Sequence, residues 1–145
     1  MQALRKVLFG ANEVTFEPPD TMYVVASGDV DGATARKLIE ELVSWSQDKP
    51  YVLLVVNVIH LSSFSTEARK VLTSNGHRLP PRALALFGGS FATQVLLDLM
   101  DRASWLLGSK NRRARHWPDE SSARAWAAEM RTFFSTNARI TAQSR

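Results

Sequence analysis

Four hydroxyl side chains, Ser62, Ser63, Ser65 and Thr66, lie close together near the middle of the chain. They follow an apolar run and open a segment with helical periodicity, so we place them at a helix N-terminus. Free backbone N–H groups and the helix dipole favour an anion there. A phosphate on Ser65 or Thr66 would add negative charge that a partner protein could recognise. Ordinary N-capping beside a solvated loop is the simpler interpretation of the same residues.

A second candidate group, Gly88, Gly89 and Ser90, follows a predicted strand and opens a predicted helix. Its backbone amides could cradle a phosphate or a carboxylate. The spacing and the lysine of a P-loop are missing, however. Because glycine permits positive φ, a tight turn is the favoured interpretation.

The histidines indicate neither catalysis nor a metal. His60 could act as a base toward Ser62 or Ser65, but no G-x-S-x-G sequence surrounds these residues. The favoured interpretation of His60 is a partly buried, hydrogen-bonded side chain. With His77 and His116, it does not form the spacing of a zinc site. We therefore expect a protein that is not an enzyme and that holds no metal and no cofactor.

The composition restricts the class of protein. The 145 residues are 45% hydrophobic, which suits one domain with a real core. A net charge of +4 is too modest to indicate nucleic acid as a partner, and the absence of cysteine excludes disulfides and thiol chemistry. No apolar run approaches the ~20 residues of a membrane span, and no signal-peptide pattern is present. We expect a cytoplasmic protein.

The most basic stretch of the chain is residues 110–117, where four Lys or Arg side chains precede His116 and Trp117. Several cations beside an aromatic ring can contact nucleic acid or anionic lipid. The favoured interpretation is a solvated edge strand whose charges prevent aggregation.

Hydrophobic periodicity predicts the elements that must position these groups. Residues 6–16 read as two short strands around a turn, and residues 21–27 read as a third strand. The apolar, β-branched run 51–61 is typical of a strand buried on both faces of a mostly parallel sheet. Further strands are predicted at 82–87 and 111–117.

Four helices alternate with these strands. The first has Asp29 or Asp31 as its N-cap candidate, and the second is expected to end in a left-handed cap at Asn75 and Gly76. In the third helix, which starts near Ala92, the predicted inward stripe is Leu96, Leu99, Met100, Ala103, Leu106 and Leu107. The prediction is an α/β protein with a mixed, mostly parallel sheet covered by about four helices. A single domain spans 1–134 and a flexible polar tail 135–145.

The element order and the segment 57–68 resemble the STAS family, the fold of bacterial anti-sigma-factor antagonists. The resemblance is greatest to its SpoIIAA-like branch, whose members are also similar to the Sec14 lipid-transfer fold. It covers about residues 7 to 133, as a pattern rather than as identity. Segments 28–31, 64–69 and 117–126 add to it.

In the antagonists an acidic residue ends the central strand, and an Asp-Ser-Ser-Gly loop with the phosphorylated serine starts the next helix. Aligned without gaps, Asn57 takes the place of the acidic residue and Ser65 that of the loop aspartate. Thr66 and Glu67 replace the two serines, and Ala68 replaces the glycine. Glu67 thus stands at the phosphoacceptor position.

The resemblance implies a non-enzymatic regulatory or interaction module. We expect a protein partner to bind the face formed by residues 62–69, including Glu67 and Arg69. The alternative is a small-molecule or lipid carrier, which requires an apolar cavity of a few hundred cubic ångström. A homodimer through the last helix and the Phe133–Phe134 pair is also expected.

Overall fold

The computed structural model describes the backbone of residues 4–109 and 111–143, with side chains up to residue 137. The described strands are β1 (Lys6–Phe9), β2 (Asn12–Glu17), β3 (Thr21–Val25), β4 (Gly28–Val30), β5 (Val52–Asn57), β6 (Leu61–Phe64), β7 (Arg82–Phe87) and β8 (Arg112–Trp117). The described helices are α1 (Gly32–Ser46), α2 (Thr66–Ser74), α3 (Phe91–Leu106) and α4 (Glu120–Gln143).

Six strands form the main sheet in the order β1-β2-β3-β5-β7-β8. The first three form an antiparallel meander, while β3, β5, β7 and β8 are parallel neighbours. The apolar run of β5 lies in the middle, as a strand covered on both faces should. This confirms the predicted α/β class and the mixed, mostly parallel sheet.

The central strand is shorter than the sequence predicted. It ends at Asn57, whose side-chain Oδ1 accepts the N–H of Ile59 at 3.0 Å and turns the chain. The predicted hydroxyl-rich loop is instead β6, which pairs in parallel with β4 in a separate two-stranded sheet. The apolar pattern continued to Leu61 because that side chain is buried again beyond the turn.

Helices α1 and α2 begin where the sequence predicted. Asp31 accepts the N–H of Thr34 at 2.8 Å, and Ser65 accepts that of Ala68 at 3.0 Å. The prediction of a left-handed cap after α2 was wrong. Asn75 has φ −100°, and a 3-10 turn, Gly76–Arg78, follows. Gly76 is required for space, because a Cβ there would collide with the hydroxyl of Ser109.

Helix α3 buries a face that is rotated from the predicted one and shares Met100 with it. The residues facing inward are Thr93, Leu97, Met100 and Ser104. Leu99, Leu106 and Leu107 are 55%, 76% and 63% exposed. The helix carries apolar side chains on two faces, so periodicity could not decide between them. Its main contacts are with α2 and β6 rather than with the main sheet.

Helix α4 covers the other face of the sheet, against β5, β7 and β8. Ala123 and Ala127, 0% and 5% exposed, bring its backbone close to the strands. The helix continues well past Ser135, where the sequence predicts the flexible tail to begin. Residues 144–145 of that tail lie outside the described residues.

Candidate functional site

The six candidate residues at β6 and the start of α2, here called the loop–helix face, are Ser62, Ser63, Ser65, Thr66, Glu67 and Arg69. Ser63 donates to Asp29 Oδ1 at 2.6 Å, which ties β6 to β4. Ser65 caps α2, and its backbone N–H donates to the carbonyl of Val30 at 3.0 Å. Ser62 and Thr66 are exposed. The hydroxyls of Ser63 and Ser65 therefore stabilise the local fold, and Ser62 and Thr66 are exposed without such a role.

The charged residues of the loop–helix face are also exposed. Glu67 pairs with Arg36 of α1, and the two side chains are 58% and 57% exposed. Arg69 donates from Nη2 to the hydroxyl of Thr66 at 3.2 Å. Gly32 lies beneath Glu67, since a Cβ at Gly32 would collide with the Glu67 carboxylate. The face therefore carries charges of both signs at a capped helix start.

The Gly88–Gly89–Ser90 group forms a tight turn. Gly88 and Gly89 have φ of 82° and 83°, a conformation that glycine adopts without strain. Ser90 caps α3 by accepting the N–H of Thr93 at 3.1 Å. His116 Nε2 forms a hydrogen bond with the carbonyl of Gly88 at 2.8 Å. Backbone conformation and capping account for all three residues.

No hydrogen bond joins His60 to Ser62 or Ser65 in the described structure. The expectation that His60 is partly buried was wrong, because its side chain is exposed. Asn57 donates to the hydroxyl of Tyr23 at 3.2 Å, in addition to accepting from Ile59. It therefore stabilises the end of β5. Within the described residues, no group of three or more His, Asp or Glu side chains could hold a metal ion.

An apolar cavity of about 160 Å³ lies between the main sheet and helices α1, α2 and α3. Leu54, Leu84 and Leu86 line it from the strands. Ile39 and Leu97 line it from the helices. Leu84 and Leu86 are only partly buried, so the three helices leave this part of the sheet incompletely covered.

Two arginines lie at one end of this cavity. Arg82 of β7 is 3% exposed and donates from Nη1 to the carbonyls of Gly76 and Pro80, each at 3.3 Å. Arg112 of β8 has a side chain only 12% exposed and pairs with Asp101 of α3 at 3.3 Å. Burial, with a smaller effect from the charge of Arg112, lowers the pKa of Arg82 to about 10. Burial also lowers the pKa of Arg112.

The basic edge strand was only partly predicted. Strand β8 forms the edge of the sheet, and Arg113 and Arg115 are exposed and cover the rings of Phe133 and Trp117 at 4.3 and 4.4 Å. Arg112, expected in solvent, faces the cavity instead. Lys110 lies outside the described residues.

The helix start that carries the loop–helix face was predicted from the sequence, and an apolar cavity was expected only under the carrier alternative. The two arginines at the end of the cavity were not predicted. Asp29 was considered only as a cap, and Arg36 was not considered as a partner of the loop–helix face. Arg82 and Arg112 are paired in register at the first positions of β7 and β8. Each arginine is the first residue of its strand, which can be read from the sequence. Only the strand order shows that the two strands are neighbours and that the two arginines therefore lie side by side.

Two solved structures are similar to this fold. The first is the Bacillus cell fate determinant SpoIIAA in its phosphorylated form, 11% identical, with a TM-score of 0.55 over 79% of this chain and 98% of that one. The second is an uncharacterised DUF3478-family protein with a SpoIIAA-like fold from Shewanella loihica, 13% identical, with a TM-score of 0.57 over 88% and 97%. No family model matches the sequence, and the search of curated proteins found no match.

The comparisons confirm the fold that the resemblance implied. The chain is an α/β protein with a SpoIIAA-like, STAS-type fold. At 11% and 13% identity the likeness extends to the fold alone. Within the part of the chain that the structure describes, no helix is both long and apolar enough to cross a membrane.

Proposed function

We propose that this protein is a non-enzymatic regulatory module that binds a protein partner through the loop–helix face. The observation that carries the proposal is the exposure of Ser62 on β6 and of Thr66, Glu67 and Arg69 on the start of α2, which the Ser65 cap holds in place. Exposed side chains of both signs suit a partner with complementary charges. The SpoIIAA-like fold supports the same class of function by analogy.

The test is affinity capture from the native host, followed by mass spectrometry of what is retained. The variant is the Glu67→Ala, Arg69→Ala double substitution, which removes one acid and one base from the face. The matched control is Glu129→Ala with Arg102→Ala, which removes the same charges from exposed positions elsewhere.

We expect wild type and control to retain the same partner and the loop–helix variant to lose it. Equal capture by all three proteins would refute the proposal. The intact mass of the protein from the same host also reports modification. A phosphate on Ser62 or Thr66, the two outward hydroxyls, would identify the face as a phosphorylation switch. A phosphate on Ser65 would replace the α2 cap.

A homodimer and a cytoplasmic location remain predictions. The Phe133–Phe134 pair offers little apolar surface to a second copy: Phe134 stacks on Tyr51 with ring centroids 5.3 Å apart, and Phe133 is 36% exposed. A dimer would use a larger surface, and the outer face of α3, with Phe91 and Leu99, is the one that the described residues offer. Light scattering of the purified protein decides the subunit count.

A second candidate function, carriage of a small molecule, is supported by the cavity beneath α3. At about 160 Å³ it is smaller than the roughly 300–1,000 Å³ of typical ligand pockets. A lipid with two acyl chains does not fit in it. The candidate ligand of this site is therefore a small molecule.

A further inference from the structure

The cavity beneath α3 combines an apolar body with a cationic end. Leu84 and Leu86 line its floor on β7, directly after Arg82 at the start of the same strand. Alternate residues of a strand face the same side, so Arg82 shares this floor. Arg112 is its register partner on β8, beside Ala114. The strand pairing thus places two guanidinium groups at one end of an apolar space.

The charges at this end do not balance. Asp101 is the only carboxylate that pairs with either arginine among the described residues, and its side chain is 41% exposed. Arg82 donates only to backbone carbonyls in the described structure. The Nε of Arg112 is buried and has no hydrogen-bond partner there.

A buried cation without an anionic partner is costly, and a buried N–H without an acceptor adds to that cost. Both costs fall when an anion enters. Guanidinium groups bind carboxylate and phosphate oxygens with paired N–H donors, which makes arginine the usual residue for such anions.

We propose that this cavity binds a small amphiphilic anion, whose head meets Arg82 and Arg112 and whose apolar body lies among Leu84, Leu86 and Leu97. The volume sets the size of that body. An apolar cavity of about 150 Å³ holds a benzene molecule, so about 160 Å³ suits an apolar body of about six to eight carbons. The head is a carboxylate or a phosphate monoester.

The entrance lies between α3 and the edge strand. The Asp101–Arg112 ion pair joins these two elements, and the partly exposed Asp101 marks the solvent side of the cavity. An entering anion replaces Asp101 at Arg112. Helix α3 can yield without disturbing the sheet, because its main contacts are with α2 and β6.

The test is calorimetric titration of the full chain with three probes of equal chain length: octanoate, octyl phosphate and octanol. We expect the better anion to bind at least about tenfold more tightly than octanol, since hydrogen bonds to charged groups carry most of the discrimination. The order of octanoate and octyl phosphate identifies the head group. Equal binding of all three probes, or binding of none, would overturn the proposal.

Two variants locate the site. Arg112→Met removes the charge and keeps much of the side-chain volume. We expect it to lower the affinity for the preferred anion by about 10- to 100-fold. Should that variant not fold, Ala114→Leu serves instead, because it fills the cavity next to Arg112 with an apolar side chain. Octanoate binding that survives Ala114→Leu in a folded protein would place the ligand elsewhere. Neither variant touches the loop–helix face, so partner capture is tested independently.

Discussion

The two faces of the main sheet hold their arginines in opposite ways. On the α4 face, Arg124 makes a bidentate pair with Glu17 at 2.8 and 2.9 Å, and Arg131 makes one with Asp20 at 2.7 and 3.1 Å. On the α1–α3 face, Arg82 is more deeply buried than either and has only backbone carbonyls as partners in the described structure.

The pKa values follow this difference. Hydrogen bonds from Arg124 to Glu17 and from Arg131 to Asp20 raise the pKa of each guanidinium. Burial lowers that of Arg82. The α4 face is therefore a completed set of ion pairs over a close-fitted core, whereas the α1–α3 face keeps unbalanced charge beside open space. We therefore expect the loss of an ion pair to cost more on the α4 face, and a bound anion to be accommodated on the α1–α3 face.

The largest predicted effect comes from breaking the α4 face at Asp20. This carboxylate is 5% exposed and accepts hydrogen bonds from Arg131, Tyr51 and Thr21. We expect Asp20→Ala to lower the free energy of unfolding by about 3 kcal/mol, as breaking a buried pair does. The value lies at the lower end of that range because Arg131, 47% exposed, can turn to water. Urea unfolding measures the change.

The matched control for this prediction is Glu40→Ala on the other face. Glu40 also makes a bidentate pair, with Arg78 at 2.7 and 3.1 Å, but it lies on the outer surface of α1. Exposed ion pairs contribute little to stability, so this variant should unfold close to the wild type. Equal losses in the two variants would show that the faces do not differ in this respect.

A second prediction compares added volume on the two faces. Ala123 is fully buried against the sheet, so Ala123→Leu should overpack that core and cost about 2 kcal/mol. Ala114 lines the cavity, and Ala114→Leu has space to fill. We expect it to change stability by less than about 1 kcal/mol. Urea or thermal unfolding of the two variants measures both changes in stability. A loss of stability larger than this in Ala114→Leu would mean that the cavity cannot accommodate a side chain.

Much of the fold could be predicted because local signals and burial agree. Asp31 and Ser65 cap the helices that their neighbours predict, and the β-branched run of β5 is buried in the centre of the sheet. Helix α3 could not be oriented, because Leu97 and Leu99 are equally apolar and only the position of α2 decides which one faces inward. The two strands that pair as β4 and β6 are three and four residues long, too short to give a period.

The candidate site also has a part that could be predicted from the sequence and a part that could not. The start of α2 at its Ser65 cap was predicted from the sequence, whereas the role of residues 62–69 as a binding face stays a prediction. The partners of this face, Asp29 and Arg36, come from distant positions, and only the tertiary fold brings them to Ser63 and Glu67. Arg112 was placed in solvent because charged residues of edge strands usually are, and the pairing of β7 with β8 overrides that rule.

The smallest of the three predicted effects is a pH dependence of the α4 face. Burial acts to raise the pKa of Asp20, but hydrogen bonds from Arg131, Thr21 and Tyr51, together with the charge of Arg131, outweigh it and lower the pKa below its ordinary value. Asp20 therefore stabilises the fold fully above its unfolded-state pKa, about 3.9. This contribution is lost as the pH falls through the lower pKa of the folded state. Protonation leaves the side chain in place, so the loss is smaller than that caused by Asp20→Ala.

The measurement that isolates this effect is the difference in unfolding free energy between wild type and Asp20→Asn, followed from about pH 7 to about pH 3. Other carboxyls whose pKa values are lowered, such as those of Asp31 and Asp119, are present in both proteins and cancel in the difference. The advantage of the wild type should shrink as the solution is acidified, because the asparagine cannot lose a charge. A constant difference across this range would mean that Asp20 has the same pKa in the folded and the unfolded protein, so that its charge adds nothing to stability. The contrast between the two faces would then lose its electrostatic basis.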